Sequence, residues 1–392
     1  MQNQQMTLEQ QNNPQESDKK NEGKDKEAKK KKAFDPYAPH KIKWWGWPLL
    51  IFLIVGTIYV VRNQDKKKKD AVSALKIDTA WNDAETQKCE GGVFGTFYHI
   101  TYQSAQPLQN GIDSTLRQVD ASLSPFNKES VITAINNNTN MKADEMFTEV
   151  FILAQEVSKA TNGAFDITVA PLVNLWGFGF KNMDEVTKNK VDSLLPLVGY
   201  QKVHLIDGIV KKDMDETMLD CSAIAKGYGV DMVGRYLEKK GVKNYMVEIG
   251  GEVRVRGINP KGELWRVGIN KPIDDVTNMN AEIEQVLQIT QLSMATSGNY
   301  RNFYEKDGKK YAHTIDPHTG YPVQHSVLSS TVLAEDCAKA DAYATSFMVL
   351  GLDEAKKVLK RQPDLMAFFI YADENGETKI WSSESLKNLI VQ

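Results

Sequence analysis

Apolar and polar positions divide this chain sharply. Residues 1–43 are rich in Gln, Asn, Lys and Glu, include an all-lysine run at 29–32, and hold too few apolar side chains for a core, so they read as a disordered arm. Residues 44–61 then form a run of eighteen without a charge, opening Trp44-Trp45-Gly46-Trp47-Pro48. At 1.5 Å per residue a helix of that length spans about 27 Å, enough for the hydrocarbon core of a membrane, and the tryptophans suit an interfacial belt. The expectation is one transmembrane helix over 44–61, a charged linker over 62–88 and a folded domain over 89–392. A cleaved signal peptide does not fit, because a long polar arm precedes the apolar run and no small-residue cleavage site follows it.

Within the domain the period of the pattern alternates between strand and helix. Residues 93–102 alternate and predict an opening strand, whereas 109–123 and 148–160 have helical spacing. Residues 203–206 and 209–212 flank Asp207-Gly208, a two-residue hairpin signal, and 245–248 and 252–255 flank Gly250-Gly251 as a second reversal. Further strands are expected at 265–269, 284–289 and 327–333, helices at 338–350 and 353–361, and a final hairpin at 367–371 with 378–381. There is no internal repeat and no regular βαβ alternation. The fold class is therefore α+β with largely antiparallel sheet.

Composition is that of a globular protein, with 41% hydrophobic and 25% charged residues. The arm carries +3 and the linker +2, which leaves −8 on the rest of a chain whose net charge is −3. An acidic domain is a poor nucleic-acid binder, since that binding rests on phosphate neutralisation. The three cysteines, Cys89, Cys221 and Cys337, are too few for a disulfide framework and allow at most one bridge. A lipoprotein anchor at Cys89 is rejected, because Thr-Gln-Lys before it lacks the small and apolar residues that site needs. Six basic residues lie within fifteen positions on each side of the apolar run, so charge alone does not orient it.

Candidate chemistry is concentrated in a few stretches. Asp341 and Thr345 fall one helical turn apart and present a carboxylate and a hydroxyl to one point. Two hard oxygens suit Mg²⁺, which takes a few oxygen ligands and leaves room for substrate phosphates. Alone, such a pair is more often a surface or satisfied polar contact. Residues 219–229, Leu-Asp-Cys-Ser-Ala-Ile-Ala-Lys-Gly-Tyr-Gly, end a short apolar strand and open a helix. They offer start-of-helix amides and the Lys226 charge to an anion, or else form an ordinary cap with a solvated lysine. Residues 313–320, His-Thr-Ile-Asp-Pro-His-Thr-Gly, form a turn between strand-like runs. Residues 165–179 are an apolar block with one acid, Asp166, whose plain reading is a core strand and loop. No G-x-G-x-x-G follows a strand, which argues against a nicotinamide dehydrogenase.

Together these stretches resemble one family. Gly95-Thr96 with Tyr98, Ser124-Pro-Phe-Asn127, residues 165–179, residues 220–229, Val247-Glu-Ile-Gly-Gly-Glu252, Thr296-Ser-Gly-Asn-Tyr-Arg301, residues 313–320 and residues 341–345 follow in the order of the bacterial FAD:protein FMN transferases, the ApbE family. The resemblance covers about residues 89–392. It implies a T-fold-like domain of two lobes with the flavin site between them, acting outside the cytoplasmic membrane and tethered by the span. The implied reaction splits the pyrophosphate of FAD, passes FMN to a threonine hydroxyl of an acceptor protein and releases AMP. Membrane redox subunits are the implied acceptors.

By the same resemblance, Mg²⁺ is expected on the Asp341 carboxylate, the Thr345 hydroxyl and the Ala223 backbone carbonyl. Lys226 and Asp220 are expected to contact FAD. Flat apolar contact for its rings is expected from Phe94, Phe126, the Ala164-Phe165-Asp166 edge and Ile315. Many relatives carry Met in place of Phe94, and Tyr or Trp in place of Phe126; either Phe could equally be an ordinary core aromatic. His313 is the candidate general base, because imidazole titrates near neutral pH and its segment borders the expected flavin site; a structural role is the alternative. His318 is expected to be exposed. Rival functions are an FAD pyrophosphatase that uses water in place of threonine, and a non-catalytic tethered flavin-binding module, the latter disfavoured by the presence of Asp341 and Thr345.

Overall fold

A computed structural model describes residues 54–57, 81–82, 85–179, 186–272, 282–299, 303–306 and 309–391. The chain divides into two units, residues 1–63 and residues 64–392. In the first, Ile54–Thr57 is helical, and the rest of the expected membrane span lies outside the described residues. Among the described residues no helix is long and apolar enough to cross a membrane.

The second unit is built on an eight-stranded sheet. In chain order its described elements are β1 (Thr86–Val93), β2 (Thr96–Gln103), α1 (Gln109–Leu123), α2 (Val131–Asn136), α3 (Glu145–Ala160), α4 (Ala170–Leu175), α5 (Lys188–Leu194), β3 (Val203–Ile206), β4 (Ile209–Lys212), α6 (Ser222–Lys239), β5 (Tyr245–Ile249), β6 (Glu252–Arg256), β7 (Trp265–Asn270), β8 (Ile283–Ile289), β9 (Leu292–Gly298), β10 (Phe303–Lys306), β11 (Lys309–Ala312), β12 (Val327–Ala334), α7 (Cys337–Arg361), β13 (Met366–Ala372), β14 (Thr378–Ser382) and α8 (Glu384–Lys387). The main sheet runs β1-β2-β5-β6-β9-β12-β13-β14, and β3-β4, β7-β8 and β10-β11 form separate pairs. Every pairing described is antiparallel, as the strand pattern predicts.

Alternation along the strands decides what covers each face. Tyr245 and Val247 of β5 pack with α1 and α6, and Val332 and Ala334 of β12 with α3 and α7. The opposite face, from Val253 and Val255 to Leu333, Phe368 and Ile370, packs on Trp265, Val267 and Leu287 of the small β7-β8 sheet. Both faces of the central strands are thus buried, so a register slip of one residue would exchange two apolar sets. Residues 64–392 form one compact unit.

Local differences from the sequence reading have identifiable causes. Residues 93–102 are not one strand, because Phe94 and Gly95 adopt φ of 51° and 74° and turn β1 into β2. That is the conformation of a two-residue hairpin, occupied here by a phenylalanine where Asn or Asp is usual. Residues 165–179 hold a 3₁₀ turn (Ile167–Val169) and α4 in place of a strand, with Pro171 in the first helical turn, where it sacrifices no hydrogen bond. Leu219 and Asp220 form no strand. The helices expected at 338–350 and 353–361 run on as α7, broken only at Gly351, whose φ of 74° is open to glycine. Cys89, Cys221 and Cys337 are all free and buried, so no bridge forms between them.

Candidate active site

Two helices that meet at a glycine make the site. Asp220 fastens the start of α6, its Oδ1 accepting from Ser222 N at 2.8 Å and Ser222 Oγ at 2.5 Å. One turn later, Gly227 N donates to Asp341 Oδ2 of α7 at 3.0 Å. In an α-helix the N–H of residue 227 aims at the carbonyl of residue 223, so this bond sets the Asp341 carboxylate beside the Ala223 oxygen. The approach depends on a missing side chain: a Cβ on Gly227 would lie 2.4 Å from the Cys337 carbonyl oxygen. Thr345 follows Asp341 by one turn, with its hydroxyl 3.0 Å from Ser297 Oγ of β9. The helical spacing read from the sequence holds: Asp341 and Thr345 lie one turn apart on α7, and the Gly227 bond brings Asp341 to the first turns of α6.

Charge at this place is concentrated and its acids are buried. Lys226 Nζ lies 2.6 Å from Glu252 Oε1 and 3.9 Å from Asp341 Oδ1. Both carboxylates are buried, Glu252 with 2% of its surface exposed. Burial raises the Asp341 pKa, opposed by the Lys226 charge and the Gly227 N–H. Burial likewise raises Glu252, opposed by Lys226 and reinforced by Asp341. Burial works against the Lys226 charge as well, but Asp341 and Glu252 outweigh it and hold the ammonium protonated. Glu252 Oε2 has no hydrogen-bond partner among the described residues. Two buried acids share one ammonium, so ionising both would leave surplus negative charge, a cost that an added cation would offset. Among the described residues there is no cluster of three or more His, Cys, Asp or Glu that could hold a metal. A carboxylate, a hydroxyl and a backbone carbonyl are nevertheless the oxygen donors that Mg²⁺ prefers.

The remaining expected residues are distributed around this centre. The Phe94 ring lies over α6, within 2.7 Å of where a Cβ on Gly229 would stand. Phe126 is 68% exposed, which excludes the core-aromatic reading. Ala164 and Phe165 are buried, and so is Ile315, which packs with Leu172, Trp176 and Val191. Their side chains serve the core, so only their backbone edges remain to meet a ligand. The Asp166 carboxylate is engaged internally, accepting from Thr168 N, Thr168 Oγ1 and Tyr200 N at 2.8, 2.6 and 2.7 Å. Asp220 N donates to Ile167 O at 2.7 Å, which joins that edge to the start of α6. His313 meets Phe178 edge-on, with ring centroids 6.4 Å apart. His318 is exposed as expected, with Nε2 2.9 Å from Asn162 O.

Two residues escaped the sequence reading. Glu252 stands in a quoted motif, but nothing local announces a lysine partner on another element. Asp231 of α6 accepts from Cys337 N at 2.9 Å and Ala338 N at 2.8 Å, and Arg254 Nη1 donates to it at 2.6 Å. It therefore caps α7 from a neighbouring helix, because Asp336 at the cap position makes no side-chain capping bond. An acid amid Val230 and Val233 on an amphipathic helix is the signal that could have found it.

Known proteins resemble this chain along most of its length. A family model, the ApbE family, matches residues 94–369. The FAD:protein FMN transferase of Vibrio cholerae is 35% identical over 315 residues, 78% of this chain and 92% of that protein. That of Haemophilus influenzae is 36% identical over 334 residues, 81% and 95% of the respective chains. Among solved structures, the flavin transferase ApbE from Vibrio cholerae superposes with a TM-score of 0.70 at 35% identity, over 78% of this chain and 99% of its own. The apo form of Pseudomonas stutzeri flavinyl transferase ApbE gives 0.69 at 29% identity, over 78% and 96%. The match spans β2, both site helices and the strands that seat them, and this chain belongs to the ApbE family.

Proposed function

We infer that this chain moves FMN from FAD onto an acceptor protein. The observation that carries the reading is the half-buried Lys226 against the buried Glu252 and Asp341 carboxylates, one turn from Thr345, inside a chain matched to the family over residues 94–369. Asp341, Thr345 and the Ala223 carbonyl would hold a Mg²⁺ ion, and their donor chemistry and the surplus negative charge beside them fit one. When bound, that ion would supply neutralisation of the charge that gathers on the phosphoryl oxygens.

The protein's own residues are assigned as follows. Lys226 faces the diphosphate bridge with a permanent positive charge, and the start of α6 adds oriented amides. Phe126, exposed at the surface, offers a flat face to a flavin or adenine ring, with Phe94 a second apolar surface over α6. Asp220 and the residue 164–166 backbone edge border the same ligand, with Ile315 behind. The acceptor is a threonine hydroxyl: its oxygen forms the new bond to the FMN phosphorus, the bond from that phosphorus to the bridging oxygen breaks, and AMP leaves. His313 takes the hydroxyl proton.

An acceptor peptide incubated with this protein, FAD and Mg²⁺ is expected to gain the mass of an FMN phosphoester on threonine. Free FMN and AMP with no peptide adduct would assign the site to pyrophosphate hydrolysis instead. Phe126→Ala is expected to weaken FAD binding by about 1–3 kcal/mol for a lost stacking surface; unchanged affinity by fluorescence titration would place the ring elsewhere. The charge-free run at 44–61 supports a single membrane tether, and the resemblance to the family, not the charge pattern, favours a catalytic unit on the outer side of the cytoplasmic membrane near redox subunits as acceptors. The full chain should then sediment with membranes, and a chain lacking residues 1–61 should remain soluble and active. Release of the full chain by salt alone would remove the tether.

A further inference from the structure

Lys226 has a choice of two carboxylates and takes only one in full. Its ammonium is 2.6 Å from Glu252 Oε1, a charge-assisted hydrogen bond, but 3.9 Å from Asp341 Oδ1, beyond hydrogen-bond reach. Asp341 is nevertheless buried and near enough for the lysine to swing to it. An ammonium bonded directly to Asp341 would occupy the oxygen a divalent cation needs and would repel that cation. The structure avoids this by placing a second acid, Glu252, at the first residue of β6, immediately after the Gly250-Gly251 reversal. Those glycines have φ of 60° and 104°, so the chain turns back sharply enough to aim residue 252 at α6. The side chain is buried to 2% exposure for one bond from Oε1, while Oε2 has no partner among the described residues. A buried acid with one oxygen unsatisfied costs stability, which points to a role other than holding the fold.

We propose that Glu252 is a positioning residue for the cation site: it keeps the Lys226 ammonium off Asp341, so that Asp341 stays open to a divalent cation. The proposal rests on the assignment of Asp341 as a metal ligand. It makes Lys226 a competitor of the cation that Glu252 restrains, and it leaves the lysine charge in place for the diphosphate. Glu252 then acts on the cation through Lys226 and not as a ligand.

Mn²⁺ binding to the full-length chain without FAD, followed by electron paramagnetic resonance, reads this directly. Wild type should bind Mn²⁺, and Asp341→Ala should not. Glu252→Gln, which keeps shape and removes charge, should weaken Mn²⁺ binding about 10–100-fold, the range for residues that orient metal ligands. Lys226→Met should bind at least as tightly as wild type. The double variant Glu252→Gln with Lys226→Met should regain the affinity of Lys226→Met. Wild-type affinity in Glu252→Gln, equal weakness in the double variant, or weaker binding in Lys226→Met would each overturn the proposal while leaving the metal assignment intact. No Mn²⁺ binding by wild type would remove the metal assignment and the proposal with it.

Discussion

An Asp341→Ala chain is expected to bind FAD yet transfer FMN at least about 10³-fold more slowly, with no loss of thermal stability at pH 7. The loss of rate follows from removing the buried carboxylate that accepts from Gly227 N, one turn before Thr345 on α7. The stability follows from the sign of its titration. Burial raises the Asp341 pKa above its ordinary carboxylate value, against the opposing pull of Lys226 and the Gly227 N–H. A raised carboxylate contributes stability below its unfolded pKa and loses that contribution as pH rises through the folded value. Ionising the buried Asp341 as pH rises is therefore a cost carried for function, and alanine relieves it, leaving Lys226 paired with Glu252. Turnover and melting temperature measured on the same preparation check both halves. Wild-type transfer, or a fall in melting temperature of several degrees, would contradict the account.

The second large effect is on the fold. Asp231→Ala is expected to destabilise the protein by about 3–5 kcal/mol, as when one partner of a buried pair is removed. Its carboxylate receives the first backbone N–H groups of α7 and the Arg254 guanidinium. Burial pushes Asp231 up to about 6, opposed by Arg254 and those amides, so the pair is still ionised at pH 7. Truncation leaves buried amides without acceptors and Arg254 with the Tyr245 hydroxyl at 3.2 Å, Asp336 at 3.3 Å and Glu238 at 3.7 Å. Because α7 carries Asp341 and Thr345, activity should fall with the packing of its first turn. Denaturant unfolding at pH 7 gives the value, and a loss under about 1 kcal/mol would mean that α7 is seated by other contacts.

How far the sequence reveals this protein varies by element. The 203–212 reversal was legible because Asp207-Gly208 accepts positive φ at both positions, 51° and 74°. The Phe94-Gly95 turn was hidden because a phenylalanine in that conformation breaks the rule the reading depends on. Strand β9, with sequence Leu-Ser-Met-Ala-Thr-Ser-Gly, was overlooked because its hydroxyls do not resemble a central strand; Thr296 and Ser297 are satisfied by Thr331 and Thr345. In the site, Asp341 and Thr345 were legible because a helix fixes their relation locally. Lys226 was found as a charge, but its carboxylate partner was not, since Glu252 reaches it only through the packing of β6 against α6. Asp166 and Asp220 look alike in sequence, yet one carboxylate is spent on the 168 and 200 backbone and the other on the start of α6.

The central claim is a divalent cation seated where α6 meets α7. A crystal grown with FAD and Mn²⁺, measured at the manganese absorption edge, tests it most directly. An anomalous peak is expected about 2.1 Å from the Asp341 carboxylate and the Thr345 hydroxyl, with the FAD diphosphate between it and Lys226. A peak elsewhere, with those two side chains unligated and FAD bound away from α6, would contradict it.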